Sequence, residues 1–289
     1  MFLQLLINGI IMGSVYSLVS LGFALVYNTT RTFHIAYAVL YMFSPYMFLT
    51  FYNNLNIGLF PALLISILLT MILSLIIELF VYKPLEKKNS SSTVIMISSI
   101  AVTTIVINVI ALFYGNETKI LNPNISGSLS LGNIIITYTQ LTQFVVSVFL
   151  IVLFLLLLKF SSLGLKARAM RDSNLLCNIF GMNIEIFRIV LFALSGFFVA
   201  IGGFLIAYDV GMDPYVGMPM LLNAVVALII GGVGKFEGAV IGGFIIGILQ
   251  SLAVWMFSSS WESAVTFVLL IIFLIFRPQG ILGEKQRKV

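Results

Sequence analysis

The sequence predicts an all-α, polytopic integral membrane protein, and three observations lead there. Of its 289 residues, 61% are hydrophobic and only 9% are charged, against roughly 25% charged in an ordinary soluble domain. The apolar residues gather in about nine runs, and nine membrane helices at about 20 residues each would use roughly 180 residues. That share matches the apolar fraction, which excludes a soluble globule and a disordered chain alike. It leaves room only for short loops, so residues 1–289 read as one transmembrane domain. The basic residues, finally, alternate between rich and poor loops in the manner of a membrane topology.

Taken in order, the expected spans are 6–27, 35–51, 59–81, 93–114, 139–158, 189–208, 218–232, 239–257 and 263–276. Several sit at the short end, as half-helices or tilted segments do. The first run reads as a span rather than a signal peptide, because no base precedes it and Gln4 and Asn8 interrupt it. Its polar residues Asn8, Ser14, Tyr16, Ser17 and Ser20 are too many for a lipid-facing helix. They fit either interhelical hydrogen bonding or the lining of a path for a small polar solute. His34 follows Arg31 just before the second run. A solvated or headgroup-facing loop is its ordinary placement, and lining the same path is the alternative.

Orientation follows from Lys and Arg in the short loops. Lys83, Lys87 and Lys88 lie in 83–92; Lys159, Lys166, Arg168, Arg171 and Arg188 lie in 159–188; Arg277, Lys285, Arg287 and Lys288 lie in the tail. The loop 115–138 has only Lys119, and 209–217 has Asp209 and Asp213 but no base. With nine spans the basic clusters share one face, placing the N-terminus outside and the C-terminus in the cytoplasm. Ser90–Thr93 reads as a helix N-cap. In the expected cytoplasmic loop 159–188, Leu165, Ala169, Leu176, Ile179 and Phe180 form a partly apolar face before the helix stop Gly181-Met182-Asn183. That segment fits a lipid-surface anchor or a knob for a soluble partner equally well.

Small residues recur at a spacing of four: Gly9, Gly13 and Ser17; Gly196, Ala200 and Gly203; Gly234, Gly238 and Gly242, continuing to Gly243 and Gly247. Close helix packing explains such stripes. A second reading makes Gly231, Gly232 and Gly234 a break between helices beside a translocation path.

Several chemistries are disfavoured by the residues present. Ionisable residues sit almost entirely at span ends, whereas an ion-coupled carrier places them at mid-membrane. The run Gly231–Lys235 lacks both the first glycine and the Ser or Thr of a phosphate loop, since Ile229 and Phe236 stand there. Asp213 lies four residues from Asp209 on one loop, unlike an aspartyl dyad drawn from two helices. Cys177 is the sole cysteine and His34 the sole histidine, so an internal disulfide and a multi-histidine metal site are both out of reach. The excess of 15 Lys and Arg over 10 Asp and Glu suits loops over anionic lipid better than nucleic-acid binding.

Five separated motifs resemble those of one family, the permease subunits of high-affinity branched-chain amino acid ABC importers. They are Asn8-Gly9 with Gly13-Ser14, Tyr16, Leu18 and Gly22; Glu78 with Tyr82-Lys83-Pro84-Leu85; Arg168-Ala169, Asp172 and Gly181-Met182-Asn183; Gly231-Gly232-Val233-Gly234 with Gly238 and Gly242-Gly243; and Arg277-Pro278-Gln279-Gly280-Ile281-Leu282-Gly283. The resemblance implies half of a translocation pathway in the bacterial cytoplasmic (inner) membrane, for Leu, Ile, Val or related small amino acids or amides. It implies a second related permease, two cytoplasmic ATP-binding subunits and an extracytoplasmic solute-binding protein as partners. On that view the chain is no enzyme and binds no cofactor; ATP and Mg²⁺ belong to the partner ATPase, seated on Arg168, Arg171, Asp172, Gly181 and Asn183. One departure stands out: at Phe33–Val39 the family's Asn, His, Gly and Glu are replaced by His34, Tyr37, Ala38 and Val39. From a different class, a stand-alone secondary carrier or channel for a small neutral or zwitterionic solute is the alternative.

Overall fold

Twenty-nine residues without a proline or a charge form a single helix, α1 (Phe2–Thr30). It stops where Arg31 takes a positive φ of 57°, a conformation that a helix interior does not admit. The structure, a computed structural model, describes residues 2–121, 127–131 and 134–283, the side chains of Leu131 and 174–176 excepted. After the break come α2 (Tyr37–Leu49), continued by a π turn at Thr50–Asn54, and α3 (Leu59–Ile77), continued by a second π turn at Glu78–Tyr82. The short α4 (Lys83–Lys87) carries Pro84 in its first turn, where no amide donor is lost. Then follow α5 (Ser92–Tyr114), the strands β1 (Ser128–Leu131) and β2 (Ile134–Thr137), and α6 (Tyr138–Phe160). The chain goes on through α7 (Ser162–Asp172), α8 (Asn174–Ile179), α9 (Ile184–Val210) and α10 (Gly217–Gly231). It ends with α11 (Phe236–Met256), a 3₁₀ turn at Ser259–Trp261 and α12 (Glu262–Phe276).

All nine apolar runs are helical, and seven helices among the described residues are long and apolar enough to cross a membrane. The runs at 35–51 and 218–232 differ from full spans. Arg31 delays the start of α2, which keeps 13 residues before its π turn, and α10 has 15 residues between Gly217 and the positive-φ Gly232. The 115–138 loop holds a hairpin that the sequence reading does not name. Ser128 pairs with Thr137 and Leu131 with Ile134, and its sequence signal is Gly132-Asn133 between two β-prone runs. The cap at Ser90–Thr93 is borne out: Ser91 Oγ accepts from the Val94 amide. The tail residues Lys285, Arg287 and Lys288 lie outside the described residues.

The chain falls into two compact units, Met1–Ala24, Asn122–Leu157 and Leu222–Val289 in the first, Leu25–Leu121 and Leu158–Leu221 in the second. In the first, α1 runs antiparallel to α11, Gly9 facing Gly247, Gly13 facing Phe244, and Ser17 facing Gly243. A methyl group at Gly247 would lie 2.4 Å from the Gly13 backbone, so both glycines serve close approach. In the second, α2, α3 and α9 pack on one another around the fully buried Tyr37, Tyr41, Tyr46, Phe48, Tyr82 and Phe192. Gly203 of α9 lets the Tyr41 carbonyl approach to where a side chain would stand.

Candidate functional site

In the first unit, the polar side chains of α1 are mostly spent on helix backbones. Ser14 Oγ donates to Ile11 O at 2.6 Å, and Ser20 Oγ to Ala224 O at 2.9 Å. Ser17 Oγ lies 2.7 Å from Val240 O and 2.7 Å from Gly13 O. Asn8 accepts from Gln4 Nε2 at 3.1 Å, and Gln4 also meets the Ile135 backbone of β2 at 2.8 Å. Tyr16 is buried. Of these, the Ser17–Val240 and Ser20–Ala224 bonds join α1 to other helices, as close packing in a low-dielectric medium favours.

Gly231, Gly232 and Gly234 form the turn from α10 to α11, with φ of 111° at Gly232 and 99° at Gly234. The C-terminal segment covers it: the Ile281 amide donates to Ile230 O at 2.8 Å and the Leu282 amide to Gly231 O at 3.0 Å. A methyl group at Gly232 would stand 2.5 Å from the Gly283 nitrogen. Thus the double-glycine motif and the Arg277–Gly283 motif, well separated in the sequence, make one structure, and its freed backbone groups are satisfied by protein. A polar cluster that sequence reading misses lies in the same unit. Gln250 Nε2 donates to Asn223 Oδ1 at 3.0 Å and contacts Thr266 Oγ1 at 2.6 Å, all three buried. Its signal is one amide in each of two apolar runs.

In the second unit, the expected partner-docking residues sit on one short stretch. Arg168 Nη1 donates to Leu158 O at 3.1 Å, and Arg171 Nε to Asp172 Oδ1 at 2.9 Å. Gly181 takes a φ of 75°, and Asn183 Oδ1 accepts from the Ile186 amide, capping α9. The apolar face expected in this segment is turned outward. Gly164, Ala167 and Met170 are buried, because Leu158 comes so near that only glycine fits at 164 and spacing of three fixes the rest. Leu165, Ala169, Ile179 and Phe180 are therefore outward, Phe180 being 84% exposed. The side chain of Leu176 lies outside the described residues. An apolar face rimmed by Lys166 and Arg168 is thus presented rather than packed.

Beside it lies a cleft of about 700 Å³ between the 78–87 stretch and 178–189. Its charges are paired. Arg188 Nε donates to Glu78 Oε1 at 2.8 Å, with the Glu78 side chain 3% exposed, and Arg188 Nη1 bonds Glu86. Lys83 Nζ lies 2.8 Å from Glu185 Oε2. Sequence reading places Glu78 and Arg188 at span ends but cannot pair residues 110 apart.

His34 is not in a solvated loop. It is fully buried, its ring packed edge-on against Tyr37, Tyr82 and Phe192. Nδ1 lies 2.7 Å from Tyr82 Oη, which lies 2.6 Å from Ser99 Oγ, which accepts the Ala36 amide at 2.8 Å. The replaced motif residues Tyr37, Ala38 and Val39 open α2 and are wholly buried. A glycine at 217 admits the Ala38 carbonyl beside them.

These groups are paired charges, hydroxyls and amides that bind helices together, and seven helices among the described residues are fit to span a bilayer. They define a multi-pass membrane protein. Residues 5–274 match the family described as "Branched-chain amino acid transport system / permease component", and the chain belongs to it. It is 26% identical over 99% of its length to the high-affinity branched-chain amino acid transport system permease protein BraD of Pseudomonas aeruginosa, covering 97% of that protein. It is 28% identical, over 99% of its length and 94% of the relative, to a probable branched-chain amino acid transport permease protein LivH of Methanocaldococcus jannaschii. The solved structure of PsaBC from Streptococcus pneumoniae in complex with Fab shares the fold, with a TM-score of 0.53, 16% identity, and coverage of 96% of this chain and 92% of that one.

Proposed function

We propose that this permease forms half of an ATP-driven import pathway for branched-chain amino acids. Its partners in this reading are a second related permease, two cytoplasmic ATP-binding subunits and an extracytoplasmic solute-binding protein. The observation that carries the reading is the end-to-end match to branched-chain amino acid permeases. The apolar, base-rimmed face of α7 and α8 in 159–188 supports it as the place where an ATPase docks, with Arg168, Arg171, Asp172, Gly181 and Asn183 holding that segment. The placement of nine crossings, N-terminus outside and C-terminus inside, is supported by loop charge. Asn8, Ser14, Tyr16, Ser17, His34, Gly231, Gly232 and Gly234 are proposed as residues of, or directly behind, the translocation path. The replacement of a family carboxylate by Val39, in an apolar setting, fits a solute met by neutral groups and helix ends.

Reconstitution tests the reading. In liposomes holding the chain with its ATPase, second permease and binding protein, leucine uptake is expected to require ATP. Charge reversal at Arg168 and Arg171 is expected to abolish ATPase copurification while membrane insertion persists. Gradient-driven leucine uptake by this chain alone would instead establish a stand-alone carrier.

A further inference from the structure

The π turn Glu78–Tyr82 is held at both ends by buried polar bonds to different parts of the second unit. Its first residue, Glu78, takes the Nε hydrogen of Arg188. Arg188 is the last residue of the 159–188 segment and stands five residues after Asn183, which caps α9. The turn's last residue, Tyr82, reaches the break between α1 and α2 twice, directly through His34 Nδ1 and through Ser99 Oγ to the Ala36 amide. A chain of direct contacts therefore runs from the start of α9, through five residues, to the residue immediately before α2. The turn is wound with one residue more than an α-helix, its closing bond running from the Lys83 amide to Glu78 O. A π turn holds one residue more than the α-helical turn it replaces, so rewinding it as α-helix would rotate the residues on one side by one position relative to those on the other. Coupling between separated sites needs an element of this kind, with two discrete arrangements that both sites bias.

We infer that the Glu78–Tyr82 π turn transmits movement of the 159–188 segment to α2, with Arg188 as its input and Tyr82 as the positioning residue at its output. This rests on the reading that 159–188 docks the ATPase. Glu78 and Tyr82 are not among the residues proposed for that docking face or for the translocation path. Displacement of the segment moves the first turns of α9; Arg188 carries Glu78 with it; the turn re-registers; and Tyr82 shifts the start of α2. The ionic cluster is thus part of the drive rather than only a brace.

The test uses the full complex in liposomes with Tyr82→Phe, which keeps the ring and removes both bonds. The expected result is unchanged ATPase copurification, ATP hydrolysis within about twofold of the wild type, and roughly a tenfold fall in leucine moved per ATP hydrolysed. A merely structural tyrosine would lower both rates together through lost protein and leave that ratio intact, and this outcome overturns the inference. Should Tyr82→Phe fail to accumulate, Ser99→Ala, which removes only the link to Ala36, is expected to lower the same ratio; an unchanged ratio there overturns it equally. Loss of copurification in Tyr82→Phe would also overturn it, because a residue downstream of docking cannot abolish docking. If the Arg168 and Arg171 reversals retain the ATPase, the docking reading fails instead.

Discussion

At the scale of single residues, Arg188 is where charge is least expendable. It is buried with Glu78 and shares its guanidinium with the half-exposed Glu86. A buried ion pair adds little to stability over an apolar replacement, but removing one partner leaves the other charge stranded. Arg188→Met is therefore expected to destabilise the protein by about 3–5 kcal/mol, read as a lowered unfolding midpoint in detergent. Adding Glu78→Leu is expected to recover much of that loss, because the stranded carboxylate is gone. If the double variant is no more stable than the single one, the burden on Arg188 is not the burial of Glu78. By contrast, the pair between Lys83 and Glu185 is solvent-exposed, with side chains 30% and 60% accessible, and contributes little by the same measure.

Among elements, the antiparallel contact of α1 with α11 is the most demanding in shape. Gly9, Gly13, Gly243 and Gly247 meet backbone to backbone. Gly247→Ala is expected to cost about 1–3 kcal/mol by overpacking. Ile241→Ala, on the exposed side of the same helix, is expected to stay within about 0.5 kcal/mol. Equal unfolding midpoints for the two variants would refute the close-packing role. This stripe is legible in the sequence because small residues at every fourth position of an apolar helix leave a groove that a second backbone fills. So are the nine helical runs, the cap at Ser91 and the helix stop at Gly181–Asn183, which follow from local composition. The contacts of Glu78 with Arg188, of Asn223 with Gln250 and of Gly232 with Gly280 are not, since each joins segments that only tertiary packing brings together. The packing of α7 against its neighbours escapes sequence reading for a related reason. Its buried side is chosen by Leu158 pressing on Gly164, not by which residues of α7 are most apolar.

For the whole molecule, the proposed topology depends on whether the short helices α2 and α10 cross the membrane, and contacts within the first unit constrain this. Gln4, at the start of α1, meets Ile135 of the hairpin. Between them lie α1, α2, α3 and α5. If α2 did not cross, the number of crossings would be odd and the two residues would be on opposite faces of the bilayer. The same logic applies to α10, since α1 and α11 run antiparallel and Ser251 Oγ donates to Leu5 O. With α2 crossing, that contact needs an even number of helices from α1 through α11, and α10 supplies the eighth. The proposed nine crossings satisfy both contacts, and on that proposal the odd number puts the termini on opposite faces. Loop charge then decides which face is which. Thiol labelling tests that orientation against little background, because the native Cys177 is buried. Cysteine at Asn53, exposed between α2 and α3, is expected to react with a membrane-impermeant maleimide on intact cells. Cysteine at Lys88, exposed beyond α4, or at Lys166 on α7 is expected to react only after the membrane is opened. Labelling in the reverse order would invert the topology and place α7 and α8 on the side where no ATPase is found. Labelling of Lys88→Cys and Lys166→Cys from opposite sides would mean that α5 and α6 do not both cross, and the parity argument for α2 and α10 would fail with it.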